Sequence, residues 1–219
     1  FRGPLGDQFT LARWYRLSVF PAVRTLKRPA VVVLLCITIA ILAGGIAAQL
    51  WPVPLDQFKS NDESLLDTLQ TWFELGQDNP KLVAMAAGQN LRVLAAATLL
   101  GVFTFGVLAI VLVIAPFGIL GFIVGQVIGS GLSPLPFILA VLPHGVIEVP
   151  AILLAGAAAL RLGSIITRLP EGLTVGEAWL GALADAVKIG LGLVLPMILV
   201  AAVLEVTLTP RIVEFVLSL

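Results

Sequence analysis

The sequence predicts an all-α, polytopic transmembrane helical bundle of about five spans, one short and one proline-broken, with additional interfacial amphipathic helices. Hydrophobic residues make up 59% of the chain and charged residues only 12%. A soluble globular domain is nearer half apolar and a quarter charged, so this composition lies outside the soluble class. The mean hydropathy is +1.07, and long stretches carry no charge, as helices that cross a bilayer require.

The charges are balanced overall but segregated along the chain. The 13 basic and 13 acidic residues give a formal net charge of zero, and this balance gives no sign of a nucleic-acid partner. Residues 1–29 are rich in arginine and lysine, whereas residues 51–90 are rich in acids. Because cytoplasmic loops carry an excess of positive charge, we expect a cytoplasmic N-terminus and an external 51–90 loop. With five spans in the plasma (inner) membrane, the C-terminus is extracytoplasmic.

The chain is divided into a cytoplasmic or interfacial N-terminal segment, 1–29, and a single transmembrane domain, 30–219. The first span is predicted at 30–50, which is free of charge. The 51–90 loop is expected to carry an amphipathic helix on the outer face, because a capping box at 60–63 precedes apolar residues at helical spacing. An inner-face counterpart is suggested by aromatic residues interleaved with arginines: Phe9, Trp14, Tyr15 and Phe20. The alternative is that both segments only cap the bundle.

Three spans are predicted between 91 and 160, where the only charges are Arg92 and Glu148. The chain is divided at Pro116 and in the 129–136 stretch, because clusters of proline and glycine end helices. The middle span is short, and the last is interrupted by two prolines. The predicted spans are 91–114, 117–131 and 135–160, the last containing Pro143 and Pro150.

The fifth span is predicted at 179–207, entered at Trp179 and bent near Pro196. A short cytoplasmic connection, 161–178, precedes it. Asp185 and Lys188 are three residues apart, a spacing at which opposite charges on a helix can pair.

Glycines at small-xxx-small spacing predict close helix packing in the third span. In lipid, small residues let two helix backbones approach closely. The partner helix can belong to the same chain or to a second copy, and we expect a homo-oligomer, a dimer, packed through such faces. The packing residues are Gly118, Gly121, Gly125 and Gly129.

A polar cluster is predicted within one leaflet. An ionisable side chain in a span costs roughly 2.5–3.5 kcal/mol on insertion scales, which favours a functional role and a nearby partner. The assigned span directions place six polar residues in the outer half of the bundle: Asn90, Arg92, Gln126, His144, Glu148 and Glu205. We expect Arg92, His144, Glu148 and Glu205 to share one pocket, with Arg92 paired to Glu148 or Glu205. The alternative is that Arg92 snorkels to the headgroups and Glu205 sits unpartnered at the interface.

His144 and Glu148 are four residues apart and share a helix face. They are interpreted as a structural hydrogen-bonded pair, a transport or proton site, or a metal site. Two ligands are too few for zinc, which takes three or four protein ligands. No metal and no cofactor is therefore expected.

The stretch 143–163 resembles the stage II sporulation protein M family. That family carries a Pro-His-Gly-x-x-Glu signature, which corresponds here to Pro143, His144, Gly145 and Glu148, with Pro143 and Gly145 interpreted as a turn. An alanine- and glycine-rich span ending in Leu-x-Leu-Gly follows it. Two further stretches are similar, the Asn90–Arg92 start of the second span and the Glu205 to Pro210 element. The likeness covers most of 85–213.

The resemblance implies a non-enzymatic membrane protein. The sporulation member of the family works with cell-wall-degrading partners during engulfment of the forespore and localises them. The expectation is a scaffold that assembles or localises an envelope (peptidoglycan) remodelling complex with other membrane proteins of the envelope. The alternatives are a transporter or channel that uses His144, Glu148 and Glu205, and an intramembrane metal-dependent enzyme built on the same three residues.

Overall fold

The computed structural model describes residues 10–53, 79–165, 167 and 169–217. In these residues the regular structure is helical throughout. Five helices are long and apolar enough to cross a membrane, which confirms the predicted all-α bundle of five spans. The amphipathic helix predicted after residue 60 and the aromatic Phe9 lie outside the described residues.

The N-terminal segment is helical and packs against the fifth span. Helix α1 (Leu11–Trp14) continues through a π-helical segment (Tyr15–Val19) into α2 (Phe20–Arg24). The Tyr15 hydroxyl donates a hydrogen bond to the Gly192 carbonyl oxygen at 2.6 Å. Pro196, four residues after Gly192, has no N–H to donate to that carbonyl. The tyrosine hydroxyl therefore supplies a donor in place of the α-helical one that Pro196 cannot provide.

The first span, α3 (Lys27–Leu50), packs closely on the third span, α5 (Val107–Gly129). A methyl group on Gly44 would fall against the Gly118 carbonyl oxygen, and one on Gly121 would fall against the Ile41 carbonyl oxygen. Only glycine permits backbones to approach this closely.

The glycine face of α5 is thus occupied by a helix of the same chain. A methyl group on Gly125 would lie 2.6 Å from the Ala48 side chain, and one on Gly129 would lie 3.5 Å from the Gln49 amide nitrogen. The expectation that this face joins two copies is wrong, because α3 already covers it. The dimer itself stays a prediction.

The second span, α4 (Pro80–Phe103), begins earlier than predicted. The Asn79 side chain accepts a hydrogen bond from the Lys81 amide at 2.9 Å, and proline occupies the first helical turn, where its missing N–H costs nothing. The predicted 51–90 loop therefore ends at Asn79.

The turn between α4 and α5 lies at 104–106. Phe105 and Gly106 have positive φ angles of 52° and 89°, and the Gly106 amide donates to the Gly101 carbonyl at 2.7 Å. Such left-handed residues terminate helices. The predicted break at Pro116 is wrong, since this proline lies inside α5, and α5 is not short. Membrane helices tolerate an internal proline where neighbouring groups satisfy the freed backbone.

The fourth span, α6 (Leu135–Ser164), is a continuous helix of 30 residues. Pro143 and Pro150 lie inside it, so the predicted interruption is wrong. Pro143 and Gly145 likewise belong to the helix and not to a turn. Its second half packs through small buried residues, namely Ala151, Gly156, Ala157, Ala158, Ala159 and Gly163.

The fifth span is longer than predicted and continuous over 38 residues, Val175–Ile212. Helix α7 (Val175–Ile189) passes through a π-helical segment (Gly190–Val194) into α8 (Leu195–Leu217). The start of α7 is fixed by a capping box in which Thr174 and Glu177 exchange hydrogen bonds. This box was not predicted, although its Thr-x-x-Glu spacing is visible in the sequence.

One ion pair joins α6 to α7 near residue 161, and a second lies within α7. Lys188 lies 3.2 Å from Asp185, which confirms the predicted pair, and Arg161 lies 2.9 Å from the other oxygen of Asp185. The contribution of Arg161 was not foreseen, because it comes from a different helix.

Candidate functional site

A cavity of about 550 Å³ lies between α4, α6 and α8 and carries charged side chains of both signs. Its polar lining consists of Gln89, Asn90, Arg92, Glu148 and Glu205, and small residues of α4 form much of the remaining wall. Small-molecule sites have volumes of about 300–1,000 Å³. This cavity, which we call the polar cavity, is therefore large enough for a ligand.

Helix α4 supplies one whole side of the polar cavity. Met85, Gly88, Gln89 and Arg92 recur at intervals of three and four residues, which places them on one helix face. Met85, Gln89 and Arg92 are exposed. This is the least apolar of the five membrane-crossing helices, and its exposed polar face accounts for the difference.

A direct hydrogen bond joins α4 to α6 at the polar cavity. The Asn90 amide nitrogen donates to Oε1 of Glu148 at 2.7 Å. A hydrogen bond to a carboxylate is stronger than one between neutral groups. Asn90 therefore fixes the position of the Glu148 side chain.

Arg92 does not pair with either acid. No carboxylate oxygen of the described residues lies within 4 Å of its guanidinium, so the predicted ion pair with Glu148 or Glu205 is wrong. The short Asn90 side chain reaches Glu148 instead, while Arg92 stays exposed in the same cavity.

His144 lies one helical turn before Glu148 but does not line the polar cavity. Its Nδ1 is 3.2 Å from the Thr209 hydroxyl oxygen, and that hydroxyl donates to the Ala140 carbonyl at 3.2 Å. A threonine hydroxyl has a single proton to donate. Nδ1 of His144 is thus assigned as the donor to Thr209.

The contacts between α6 and α8 form two levels. His144 faces Thr209 at one level, while Glu148 and Glu205, each four residues away, line the polar cavity at the next. The two helices are antiparallel, so these pairs match in depth. Thr209 was absent from the predicted cluster, although its spacing of four from Glu205 signals a shared helix face.

Gln126 is remote from the polar cavity and caps α3. Its amide nitrogen donates to the carbonyl oxygens of Ala48 and Trp51 at 3.1 and 2.8 Å. Its amide oxygen accepts from the Val53 amide at 3.0 Å. Including Gln126 in the polar cluster was wrong, because its side chain satisfies backbone groups at the end of a helix.

One protein-family model matches nearly all of the transmembrane part of the chain. The family model of Stage II sporulation protein M matches residues 31–210. The chain belongs to the Stage II sporulation protein M family. No curated protein and no solved structure matches it. The family match includes every residue that lines the polar cavity.

Stage II sporulation protein M is not a known enzyme family. In this member, the signature residues His144 and Glu148 face two residues of α8, Thr209 and Glu205, respectively. Within the described part of the chain, no group of three or more His, Cys, Asp and Glu side chains is placed to hold a metal ion. The side chains of the polar cavity can bind a ligand through their charges and through hydrogen bonds.

Proposed function

We propose that this protein is a non-enzymatic membrane scaffold that assembles or localises an envelope (peptidoglycan) remodelling complex in the plasma membrane. The observation that carries the proposal is the family match over residues 31–210. The sporulation member of that family localises cell-wall-degrading partners, and the same role is assigned here by resemblance.

The arrangement of the described helices supports a scaffold. The connections at 104–106 and 130–134 are short, so the surface that these parts offer to partners is mainly that of helices in the bilayer. Apolar side chains of α3 such as Leu35, Ile39 and Leu42 are exposed along that surface. In a bilayer these side chains contact either lipid or a partner helix, and partner helices associate by close packing and interhelical hydrogen bonds.

The scaffold is tested in the native host with an affinity-tagged full chain. After crosslinking and solubilisation, we expect peptidoglycan-cleaving enzymes to co-purify above the level found with an unrelated tagged membrane protein. In a deletion strain, a fluorescent fusion of the same enzyme should lose its localisation, and the wild-type chain should restore it. Unchanged localisation in the deletion strain would contradict the proposal.

A transporter or channel is the second candidate, favoured by the polar cavity. Ionisable residues within membrane spans commonly mark substrate or ion pathways. Glu205→Gln separates the two functions, because it removes a charge from the cavity without changing the side-chain shape. If the protein is a scaffold, the Glu205→Gln variant should still restore enzyme localisation. If the protein is a transporter, the same variant should lose solute flux in proteoliposomes.

A further inference from the structure

The charged side chains of the polar cavity are not satisfied by the described part of the chain. Arg92 and Glu205 make no hydrogen bond or ion pair there. Glu148 has a single partner, the Asn90 amide. Charges of both signs therefore line one cavity without meeting.

This arrangement contrasts with the two ion pairs of Asp185 in α7. There, both oxygens of Asp185 are engaged, one by Arg161 and the other by Lys188. An isolated charge in a span costs roughly 2.5–3.5 kcal/mol on insertion scales. The cationic and acidic side chains of the polar cavity do not pair with each other. This indicates a ligand from outside the chain that contacts side chains of both charges.

The free charged atoms are accessible to such a molecule. In the described part of the chain, no side-chain nitrogen or oxygen is both fully buried and without a hydrogen-bond partner. The unsatisfied groups of Arg92 and Glu205 thus open into the cavity space of about 550 Å³.

We propose that the polar cavity binds a small zwitterion, with its carboxylate or phosphate on Arg92 and its ammonium on Glu205 and Glu148. An arginine fork binds carboxylates and phosphates through two parallel hydrogen bonds. A simple cation would be repelled by Arg92, and a simple anion would be repelled by the two glutamates. Asn90 is a positioning residue, since it holds Glu148 in place.

Two sources offer this chemistry, a water-soluble amino acid and the headgroup of phosphatidylethanolamine. Both carry an ammonium and an anionic group on one small unit. The wall formed by Ala84 and Gly88 leaves room for either. The proposal is independent of the scaffold role, and a failure of one leaves the other standing.

The test uses the full chain in nanodiscs of phosphatidylglycerol, which contain no zwitterionic lipid. L-alanine is compared with ethylamine and propionate, which retain only its ammonium or its carboxylate. We expect alanine at about ten times its Kd to raise the unfolding midpoint by roughly 3–5 °C. The single-charge analogues at the same concentration should have little effect.

In the second arm, phosphatidylethanolamine is added to the nanodiscs, and retained lipid is measured by native mass spectrometry. A response to alanine identifies a soluble zwitterion, whereas retention of phosphatidylethanolamine alone identifies the headgroup. Arg92→Gln and Glu205→Gln should each weaken the affinity for the ligand that gives a response at least about tenfold. Each variant removes a charged hydrogen-bonding partner. Arg24→Gln and Glu171→Gln, which change exposed charges away from the cavity, should not.

If Arg92→Gln fails to fold, Arg92→Lys takes its place. It keeps the charge but loses the two parallel hydrogen bonds of the guanidinium fork, so it should also weaken binding. Equal responses to alanine and to a single-charge analogue would overturn the proposal. So would the absence of a response in both arms, or binding that survives both cavity variants.

Discussion

Asn90 is the residue on which the geometry of the polar cavity depends most directly. Its amide lies 2.7 Å from Glu148, and removing a donor to a part-buried carboxylate costs about 1–3 kcal/mol. We predict that Asn90→Ala lowers the thermal unfolding midpoint in detergent by several degrees. Gln89→Ala is the control, because Gln89 is exposed next to it and makes no hydrogen bond to the described residues. Equal midpoints for the two variants would contradict the prediction.

At the residue scale, the sequence predicted which residues lie near one another better than it predicted their depth or direction. Arg92 was expected at the outer start of its span, whereas it lies near the middle of α4 (Pro80–Phe103). Counting residues along each span brought Asn90, Arg92, Glu148 and Glu205 to a common level, and the structure places all four on one cavity. The depth of a residue along its span does not determine in which direction around the helix its side chain points. For this reason the sequence assigned the wrong partner to Glu148.

The same limit explains the two residues that do not line the polar cavity. Gln126 and His144 lie on helices of the predicted bundle but face other neighbours, the end of α3 and Thr209 respectively. A polar residue in a span needs a partner, yet the partner can be a backbone carbonyl as well as a charge. Whether the cluster has a function stays a prediction.

At the scale of single helices, a lone proline was a poor signal, whereas the proline and glycine cluster at 129–136 correctly marked the turn between α5 and α6. Pro116, Pro143 and Pro150 all lie inside helices, while the turn between α4 and α5 is made by Phe105 and Gly106 with positive φ. In a bilayer no water is present to satisfy backbone N–H and C=O groups, and a helix satisfies them internally. The helix therefore continues past a proline. Capping sequences at Asn79–Pro80 and at Thr174 were better signals, and they could have been used.

The glycine seam between α3 and α5 gives a prediction for one helix face. A methyl group on Gly44 would lie 2.8 Å from the Phe122 amide nitrogen and closer still to the Gly118 carbonyl, whereas one on Gly45 would lie 3.7 Å from its nearest neighbour. Gly44→Ala is therefore expected to destabilise the protein by about 1–3 kcal/mol through overpacking.

Gly45→Ala is the matched control, because it makes the same chemical change at the adjacent position. Its unfolding midpoint should stay within about 2 °C of the wild type. The measurement is thermal unfolding of both variants in the same detergent. If both variants unfold together, the helices do not pack as closely as the structure indicates.

At the scale of the whole molecule, the fold class followed from composition because a membrane allows few solutions. Backbone groups in hydrocarbon must be satisfied internally, so long apolar stretches form helices. Small residues in those stretches predicted close packing but not its partner. The face carrying Gly121 and Gly125 is filled by α3 of the same chain, and a dimer would have to use another surface.

The orientation of the bundle leads to the last prediction. Helix α6 has 30 residues and separates two exposed sites, Ser133 before it and Glu171 in the connection after it. We expect a cysteine at Ser133 to react with an impermeant reagent on intact cells, and a cysteine at Glu171 to react only after permeabilisation. The reason is the excess of basic residues before α3, which favours a cytoplasmic N-terminus. Cys36, the one native cysteine, is first replaced by serine. Labelling of both sites from one side would show that α6 does not cross the membrane, whereas a reversed pattern would leave the fold intact and overturn only the orientation.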